Sequence, residues 1–264
     1  MFQTNLLAGR NAFCAGATSG INLAIAQAFA AHGAQVYVVS RNPDKVRDAI
    51  ALIGPHAAGM AADVRDFDAI TRAAAECHER GPIDIVLSGA AGNFLCRASD
   101  LSPKGFRTVI DIDLVGGFHV MKATYPHLRR PGASIINISA LQSFITLPLQ
   151  AHAAAAKAGL DALVKSLAQE WGPEGIRINS IAPGAVTGTE GMRRLAPDAA
   201  ATASLTTETP LRRWATLADI TNLALFLASP LSAYITGDII VADGGYSLGK
   251  SYLGDAPSAP ARAP

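Results

Sequence analysis

Short runs rich in β-branched and other apolar residues alternate along this chain with longer stretches of helical periodicity. Two strands joined through a helix run parallel, because the helix returns the chain to the starting edge of the sheet. Strands are predicted at 11–15, 35–39, 57–61, 84–88, 134–138, 177–181 and 238–242. Helices are predicted near 20–31, 43–52, 66–80, 104–129, 151–171 and 216–228. The alternation predicts an α/β fold: a doubly wound, mostly parallel seven-stranded sheet with helices on both faces.

No internal shift in composition divides the chain, so a single domain is predicted over residues 1–249. The alternation is interrupted at about 187–214, a segment that follows a strand and is too long for a simple connection. An insertion at the carboxyl end of a parallel strand is typical of a substrate lid. Residues 250–264 are rich in Pro, Ala and Ser and predict a flexible tail.

Charge and hydropathy exclude several classes of ligand. The chain has 22 Lys and Arg against 21 Asp and Glu, which leaves no bulk charge for nucleic acid or an anionic membrane. No apolar run is long enough to span a bilayer. The cysteines, Cys14, Cys77 and Cys96, lack the spacing of a redox or zinc site, so reduced thiols and no metal are expected. An anionic ligand must therefore be held by local groups.

A glycine-containing turn, C-A-G-A-T-S-G-I-N, joins the first strand to the first helix. Glycine lets the backbone approach a pyrophosphate, and a helix N-terminus offers free N–H groups with a partial positive charge. The turn therefore predicts a dinucleotide-binding site. Its cofactor-binding residues are predicted to be Gly16, Thr18, Ser19, Gly20 and Ile21.

The end of the second strand indicates which dinucleotide is bound. An NAD-selective protein of this architecture carries an acidic residue here for the ribose 2′-hydroxyl. This chain has Ser40 and Arg41 instead, and an arginine can pair with the 2′-phosphate of NADP. A lone arginine is usually a solvated cation, but its coincidence with Ser40 and the glycine turn favours NADP.

Signatures spread over about residues 6–249 together resemble the short-chain dehydrogenase/reductase family. They are the glycine turn, Asp63-Val64, SGAAGN (88–93), Lys157, APG (182–184) and DGG (243–245). The resemblance implies a Rossmann fold in which Asp63 and Val64 contact the adenine and Lys157 hydrogen-bonds the nicotinamide ribose. It further implies cofactor contacts from Ala90, Ala91, Gly92, Pro183, Gly184 and Val186. Asn22 stands where the family has a third glycine, and a local adjustment is expected there.

The residues that serve ketone reduction in most of this family are missing. A tyrosine normally stands four residues before the lysine and is assisted by a serine, but these positions are Ala153 and Ala140. Ketone reduction then requires a substitute donor such as Ser139, Ser143 or His152. Reduction of a conjugated C=C bond has different needs, because hydride arrives at carbon and charge develops on a thioester oxygen.

A narrower resemblance points to C=C reduction. The segments 40–46, 90–120, 149–163 and 167–195 are similar to peroxisomal-type 2,4-dienoyl-CoA reductases, which also lack the tyrosine and keep the lysine. This similarity implies NADPH-dependent reduction of a dienoyl-CoA in fatty acid oxidation. Lys157 and Asp113 are the predicted catalytic residues. Their pair either orients a water and relays a proton or is a structural ion pair, and the sequence leaves both open.

The acyl-CoA substrate suggests further site residues. Asn93 and Phe94 follow the fourth strand into the expected cleft, and arginines bordering it would meet the CoA phosphates. The predicted substrate-binding residues are Asn93, Phe94, Arg97, Arg193 and Arg194.

Two other functions stay open at this point. One is an NADP-dependent carbonyl or 3-hydroxyacyl oxidoreductase with a relocated proton donor, and the other is a non-catalytic NADP-binding protein. The family resemblance also implies a homotetramer. The ending ARAP is not a peroxisomal S-K-L signal, so a cytoplasmic location is expected.

Overall fold

The computed structural model describes residues 3–189, 192 and 198–249. Its strands are β1 (Asn11–Ala15), β2 (Gln35–Ser40), β3 (Ala57–Ala61), β4 (Ile85–Ser88), β5 (Ser134–Ile138), β6 (Arg177–Pro183) and β7 (Ile239–Ala242). They form one sheet in the order β3-β2-β1-β4-β5-β6-β7, and every neighbouring pair is parallel. The predicted doubly wound α/β fold is confirmed, with a sheet that is parallel throughout.

Helices cover both faces of this sheet. They are α1 (Gly20–Ala31), α2 (Pro43–Ile53), α3 (Phe67–His78), α4 (Pro103–Ile110), α5 (Gly116–Thr124), α6 (Ala151–Trp171), α7 (Ala199–Glu208) and α8 (Leu217–Ala228). One core contains buried side chains of α1, α2 and α8, such as Phe29 and Leu225. The opposite core contains side chains of α3, α5 and α6, such as Ile70 and Leu160. Burial on both faces explains why the strands read as continuous apolar runs.

The helix predicted over 104–129 is wrong as a single regular element. A π-helical turn, Asp111–Val115, separates α4 from α5, and α5 ends at Thr124 before a short 3₁₀ turn. The backbone stays in the right-handed helical region where α4 meets the π-helical turn and where this turn meets α5. The three elements therefore form one helix with a widened turn. No proline or glycine in 111–115 announces this turn. Its consequence is that Asp113 lies in the protein interior, 1% exposed.

The segment predicted as an insertion begins and ends at the carboxyl end of β6. Val186 and Ala215 form an isolated parallel bridge, and the Thr187 N–H donates to the Ala215 carbonyl at 2.9 Å. Helix α7, which the sequence analysis did not predict, lies between these ends. The role of the segment as a lid stays a prediction. Among the described residues, no helix combines the length and apolar character needed to cross a membrane.

The sheet order reverses direction between β1 and β4, where Ala15 lies beside Ser88. In open parallel sheets, ligands bind beyond the carboxyl ends of the strands at such a reversal. The segments that follow β1 and β4 are the glycine turn and residues 89–100. The fold therefore brings together two of the segments on which the sequence analysis placed the site.

Candidate active site

A cleft of about 500 Å³ opens beyond the carboxyl ends of β1 to β4. The predicted cofactor-binding residues in its wall are Gly16, Thr18, Ser19, Ser40, Arg41, Asp63, Val64, Ala90, Ala91 and Gly92. Gly20 and Ile21 begin α1, Pro183 ends β6, and Gly184 and Val186 follow it. The structure thus brings ten of the predicted residues into one cleft. Their part in cofactor binding stays a prediction.

Gly16 allows the two sides of the cleft to approach each other. Its φ of +77° lies in the left-handed region, and a Cβ there would stand 2.6 Å from the Ala90 backbone. Its N–H donates to the Val39 carbonyl at 2.7 Å. Ser19, the N-cap of α1, makes no side-chain capping bond, which leaves the first-turn N–H groups available to an anion. This arrangement fits a dinucleotide pyrophosphate.

Asn22 makes the adjustment that replaces the family's third glycine. Its Nδ2 donates to the Gly89 carbonyl at 2.7 Å and lies 3.4 Å from the Gly16 carbonyl oxygen. The side chain therefore connects the glycine turn to the segment after β4. Its Oδ1 is buried in the cleft wall and has no hydrogen-bond partner among the described residues. The expected local adjustment is thus a hydrogen-bonded brace.

The end of β2 carries two cations at the rim of the cleft. Arg41 and Lys45 are exposed and both line it. The sequence analysis missed Lys45, although the Asn42 N-cap fixes its place: Asn42 Oδ1 accepts from the Lys45 N–H at 3.0 Å, which starts α2 at this point. Lys45 therefore lies on the first turn of α2 and lines the same cleft as Arg41. Two cations suit the 2′-phosphate of NADP better than one.

Asp63 contributes a carboxylate to the same cleft. The Arg65 guanidinium binds both of its oxygens, at 3.0 and 2.6 Å, and holds the pKa of Asp63 below its ordinary value. Arg41 adds a smaller effect in the same direction. The carboxylate is therefore ionised, held in one orientation and largely neutralised by Arg65.

Lys157 and Asp113 form a buried pair behind Gly92, a residue of the cleft wall. Lys157 Nζ donates to the Ile138 carbonyl at 2.8 Å and lies 3.5 Å from Asp113 Oδ2. Asp113 Oδ1 accepts from the Gly92 N–H at 2.7 Å. Burial raises the pKa of Asp113, and this effect outweighs the opposing influence of Lys157 and of the Gly92 hydrogen bond. A carboxyl group with a raised pKa suits proton transfer.

The position of the missing tyrosine is closed by packing. Ala153 is 1% exposed and packs with Val109 and Ala156. Ser139, a candidate substitute donor, is buried, and its hydroxyl donates to Asp161 Oδ2 at 2.7 Å. The Ser139 proton is therefore engaged by a carboxylate within the core.

The other two candidate donors are buried without such partners. Ser143 Oγ has no hydrogen bond among the described residues. The His152 ring lies against Phe94, with centroids 4.4 Å apart, and neither ring nitrogen makes a hydrogen bond of normal geometry within the described part of the chain. Burial lowers the pKa of His152. This effect of burial is larger than the opposing effects of the Phe94 backbone and the Asp113 charge. His152 is therefore neutral near pH 7.

The loop after β4 docks on the start of α6. Asn93 Nδ2 donates to Gln150 Oε1 at 2.7 Å, and the Cys96 N–H donates to the Leu149 carbonyl at 2.9 Å. Phe94 and Arg97 are exposed on this loop. The predicted substrate residues Arg193 and Arg194 lie outside the described residues. The sequence analysis missed Gln150, a buried amide within a segment already assigned to the site.

Comparison with known proteins decides the family. The family model described as Enoyl-(Acyl carrier protein) reductase matches residues 16–247. The chain belongs to the short-chain dehydrogenase/reductase family. Within this family, it is 43% identical to a peroxisomal 2,4-dienoyl-CoA reductase [(3E)-enoyl-CoA-producing] of Rattus norvegicus, over 93% of this chain and 86% of that protein. It is an oxidoreductase, as its family relatives are.

Two further short-chain dehydrogenase/reductase relatives extend the likeness. The corresponding peroxisomal 2,4-dienoyl-CoA reductase of Saccharomyces cerevisiae is 38% identical, over 96% of this chain and 89% of that protein. A crystal structure of a short chain dehydrogenase from Bacillus anthracis superimposes with a TM-score of 0.81 at 33% identity, and covers 94% of this chain and 98% of that one. The narrower resemblance to 2,4-dienoyl-CoA reductases is thus confirmed.

Replacing Gly16 tests the close approach of the cleft walls. Gly16→Ala is expected to weaken NADPH binding about tenfold or more, equivalent to roughly 1.4 kcal/mol, because the added Cβ displaces the turn from Ala90. Gly9→Ala is the matched control, since Gly9 has a φ of +72° but no atom within 4 Å of a Cβ. It should cost about 1–2 kcal/mol of folding stability and leave NADPH binding unchanged. Fluorescence titration with NADPH measures the affinity of each variant. Equal affinities of Gly16→Ala and Gly9→Ala would contradict the role of Gly16 in the close approach of the cleft walls.

Replacing Asp113 tests whether its burial costs stability. A folded-state pKa above the ordinary value means that the folded protein binds more protons, so this group's contribution to stability falls as pH rises above that value. Asp113→Asn removes this pH-dependent contribution but also leaves the buried Lys157 ammonium without its carboxylate. The free energy of unfolding of the variant relative to the unaltered protein should therefore rise as pH rises from 4 to 7. Urea unfolding at a series of pH values measures it. Asp48→Asn, at an exposed position on α2, is the control and should show no such trend. A stability difference between Asp113→Asn and the unaltered protein that does not change with pH would refute the assignment.

Proposed function

We propose that this oxidoreductase is an NADPH-dependent reductase of the conjugated C=C bonds of acyl-CoA thioesters, acting as a 2,4-dienoyl-CoA reductase in fatty acid oxidation. The observation that carries the proposal is a buried Lys157–Asp113 pair beside the cleft where Ala153 replaces the carbonyl-side tyrosine. The chain keeps the lysine assigned to the nicotinamide ribose, whereas the tyrosine and serine that serve a ketone oxygen are replaced by Ala153 and Ala140. The names of the rat and yeast relatives agree with this chemistry.

The residues divide the reaction between binding and proton transfer. NADPH, when bound, supplies a hydride, which adds to the δ-carbon of the dienoyl thioester. The electron pair then extends to the thioester oxygen, and a proton at the α-carbon completes a 3-enoyl-CoA. Asp113 is the proposed source of that proton, directly or through a water, because burial raises its pKa. Lys157, held by Ile138, binds the nicotinamide ribose and stabilises the carboxylate that Asp113 leaves behind.

The rim of the cofactor cleft supports NADPH over NADH. Arg41 and Lys45 lie where an NAD-selective site needs an acid, and Ser40 adds a hydroxyl 3.4 Å from the Thr18 hydroxyl. The pyrophosphate is assigned to Gly16, Thr18, Ser19, Gly20 and Ile21. The nicotinamide end is assigned to Pro183, Gly184 and Val186.

The acyl-CoA is assigned to the side of the site formed by the loop after β4. Asn93 and Phe94 face its reacting end, and Arg97, Arg193 and Arg194 are assigned to the CoA phosphates. Association into a homotetramer is proposed through α4, α5 and α6, where Phe106 and Phe118 are each 39% exposed. A cytoplasmic location stays a prediction, although the rat and yeast relatives are named as peroxisomal proteins.

Nicotinamide absorbance in parallel assays tests the reaction class. With NADPH, we expect turnover of a 2,4-dienoyl-CoA and none of a 3-ketoacyl-CoA, because the site lacks a donor to a ketone oxygen. Turnover of the ketoacyl thioester alone would replace the proposal with a carbonyl reductase that uses Ser143 or His152. NADPH binding without turnover of either thioester would indicate a non-catalytic cofactor-binding protein.

A charge reversal at the rim tests cofactor choice. Arg41→Asp should lower the kcat/KM ratio of NADPH to NADH by roughly 10- to 100-fold, the range expected when a charged hydrogen-bond partner of the 2′-phosphate is lost. Steady-state kinetics with both cofactors measure the ratio. Arg72→Asp makes the same change at an exposed position of α3 outside the cleft and should leave the ratio unchanged. A ratio insensitive to Arg41→Asp would assign the phosphate to other groups.

A further inference from the structure

The reaction proposed above needs a hydrogen-bond donor that the family's missing residues do not supply. When hydride adds to the diene, negative charge develops on the thioester oxygen, and fixed donors around that oxygen lower the barrier. The positions of the tyrosine and serine are Ala153 and Ala140, which carry no donor. Ser139 is engaged with Asp161. The site therefore requires an N–H or O–H group from elsewhere in its wall.

Gln150 offers such a group. It is 4% exposed, and its Oε1 accepts from Asn93 Nδ2 at 2.7 Å and lies 3.5 Å from Gln142 Nε2. These two amides fix the Gln150 carbonyl oxygen toward themselves, so the NH₂ end of the amide is directed away from them. This Nε2 makes no hydrogen bond within the residues that the structure describes. The Nε2 atom is not fully shielded from solvent, so its two unengaged N–H bonds can donate to a water or to a ligand oxygen.

The place of Gln150 relates it to the catalytic pair. It directly precedes α6, three residues before Ala153 and seven before Lys157, so these side chains follow one another along the same helix face. Asn93, which orients the Gln150 amide, is adjacent in sequence to Gly92, whose N–H binds Asp113. Gln150 therefore lies about one helical turn before the vacated tyrosine position, and the loop segment Gly92-Asn93 connects its amide to Asp113.

We propose that the Gln150 amide N–H is the catalytic donor to the substrate's thioester carbonyl oxygen, with Asn93 and Gln142 as positioning residues that fix its orientation. The inference rests on the proposed function and adds the group that stabilises its charged intermediate. It also names a hydrogen-bond donor that takes the place of the missing tyrosine hydroxyl. An amide donates a hydrogen bond to the oxygen without releasing a proton to it, so protonation is directed to carbon.

The test compares two ligands that differ only in the carbonyl oxygen. Hexanoyl-CoA carries the thioester, and S-hexyl-CoA is the thioether that lacks the oxygen. The NADP-loaded full-length protein should bind the thioester about three- to tenfold more tightly, the range for one hydrogen bond. Gln150→Leu should abolish this preference and leave NADP affinity unchanged. Gln169→Leu, on the exposed face of α6, should keep the preference. Calorimetry measures each affinity.

Turnover of a 2,4-dienoyl-CoA provides the second readout. Gln150→Leu should lower kcat on the order of 10²-fold, as the loss of one oxyanion donor does. Gln150→Glu, measured at a pH at which the carboxyl is ionised, keeps an oxygen that accepts from Asn93 but lacks an N–H donor, so it should fail to restore turnover. Circular dichroism checks that this variant is folded. Retained ligand preference in Gln150→Leu, or near-normal turnover in Gln150→Glu, would overturn the inference while the proposed function stands.

Two further outcomes separate the possible failures. If Ser143→Ala rather than Gln150→Leu abolishes the preference for the thioester, the donor is the Ser143 hydroxyl and the Gln150 assignment is wrong. If the unaltered protein reduces no dienoyl-CoA, the proposed function fails first, and the assignment of Gln150 fails with it.

Discussion

The active site depends on how a buried ammonium group is satisfied. Lys157 is 5% exposed, and a cation removed from water must be paired and hydrogen-bonded if the fold is to tolerate it. The Ile138 carbonyl and the Asp113 carboxylate meet this requirement. Asp113 is in turn held by the Gly92 N–H, so the ends of β4 and β5, the π-helical turn and α6 are fixed relative to one another by one set of contacts.

These contacts hold a destabilising carboxyl group beside Lys157. Burial raises the pKa of Asp113, and the neighbouring Lys157 offsets only part of that effect. A carboxylate held at a cost to stability is common at sites of proton transfer, because it remains ready to change its protonation state. The widened helical turn that carries Asp113 also fits a functional role, since π-turns within α-helices are frequent at such sites.

The departures from the family pattern are compensated locally. Asn22 replaces a glycine and uses the space to connect the two walls of the cofactor cleft. Ala153 replaces a tyrosine, and the helix face that lost the phenol retains Gln150 one turn away. In both cases an amide side chain lies at or near the altered position and makes hydrogen bonds there. The cleft walls thereby stay connected although these residues depart from the family pattern.

Much of this protein could be predicted from the sequence, because its strands and helices are separated by local signals. The alternating runs determined the strands and the fold class, the glycine turn and Arg41 marked the predicted cofactor side, and Ala153 marked the loss of the residue on which ketone reduction normally depends in this family. The features that escaped prediction depend on contacts between distant segments. The π-helical turn has no local signature, Lys45 reaches the cleft through the start of α2, and Gln150 acquires its orientation from Asn93, 57 residues earlier. The sequence by itself determined which side chains are available to the site. Only the tertiary structure decided which of them contact one another and which keep an unused hydrogen-bond donor, because burial and hydrogen bonding depend on how distant segments pack.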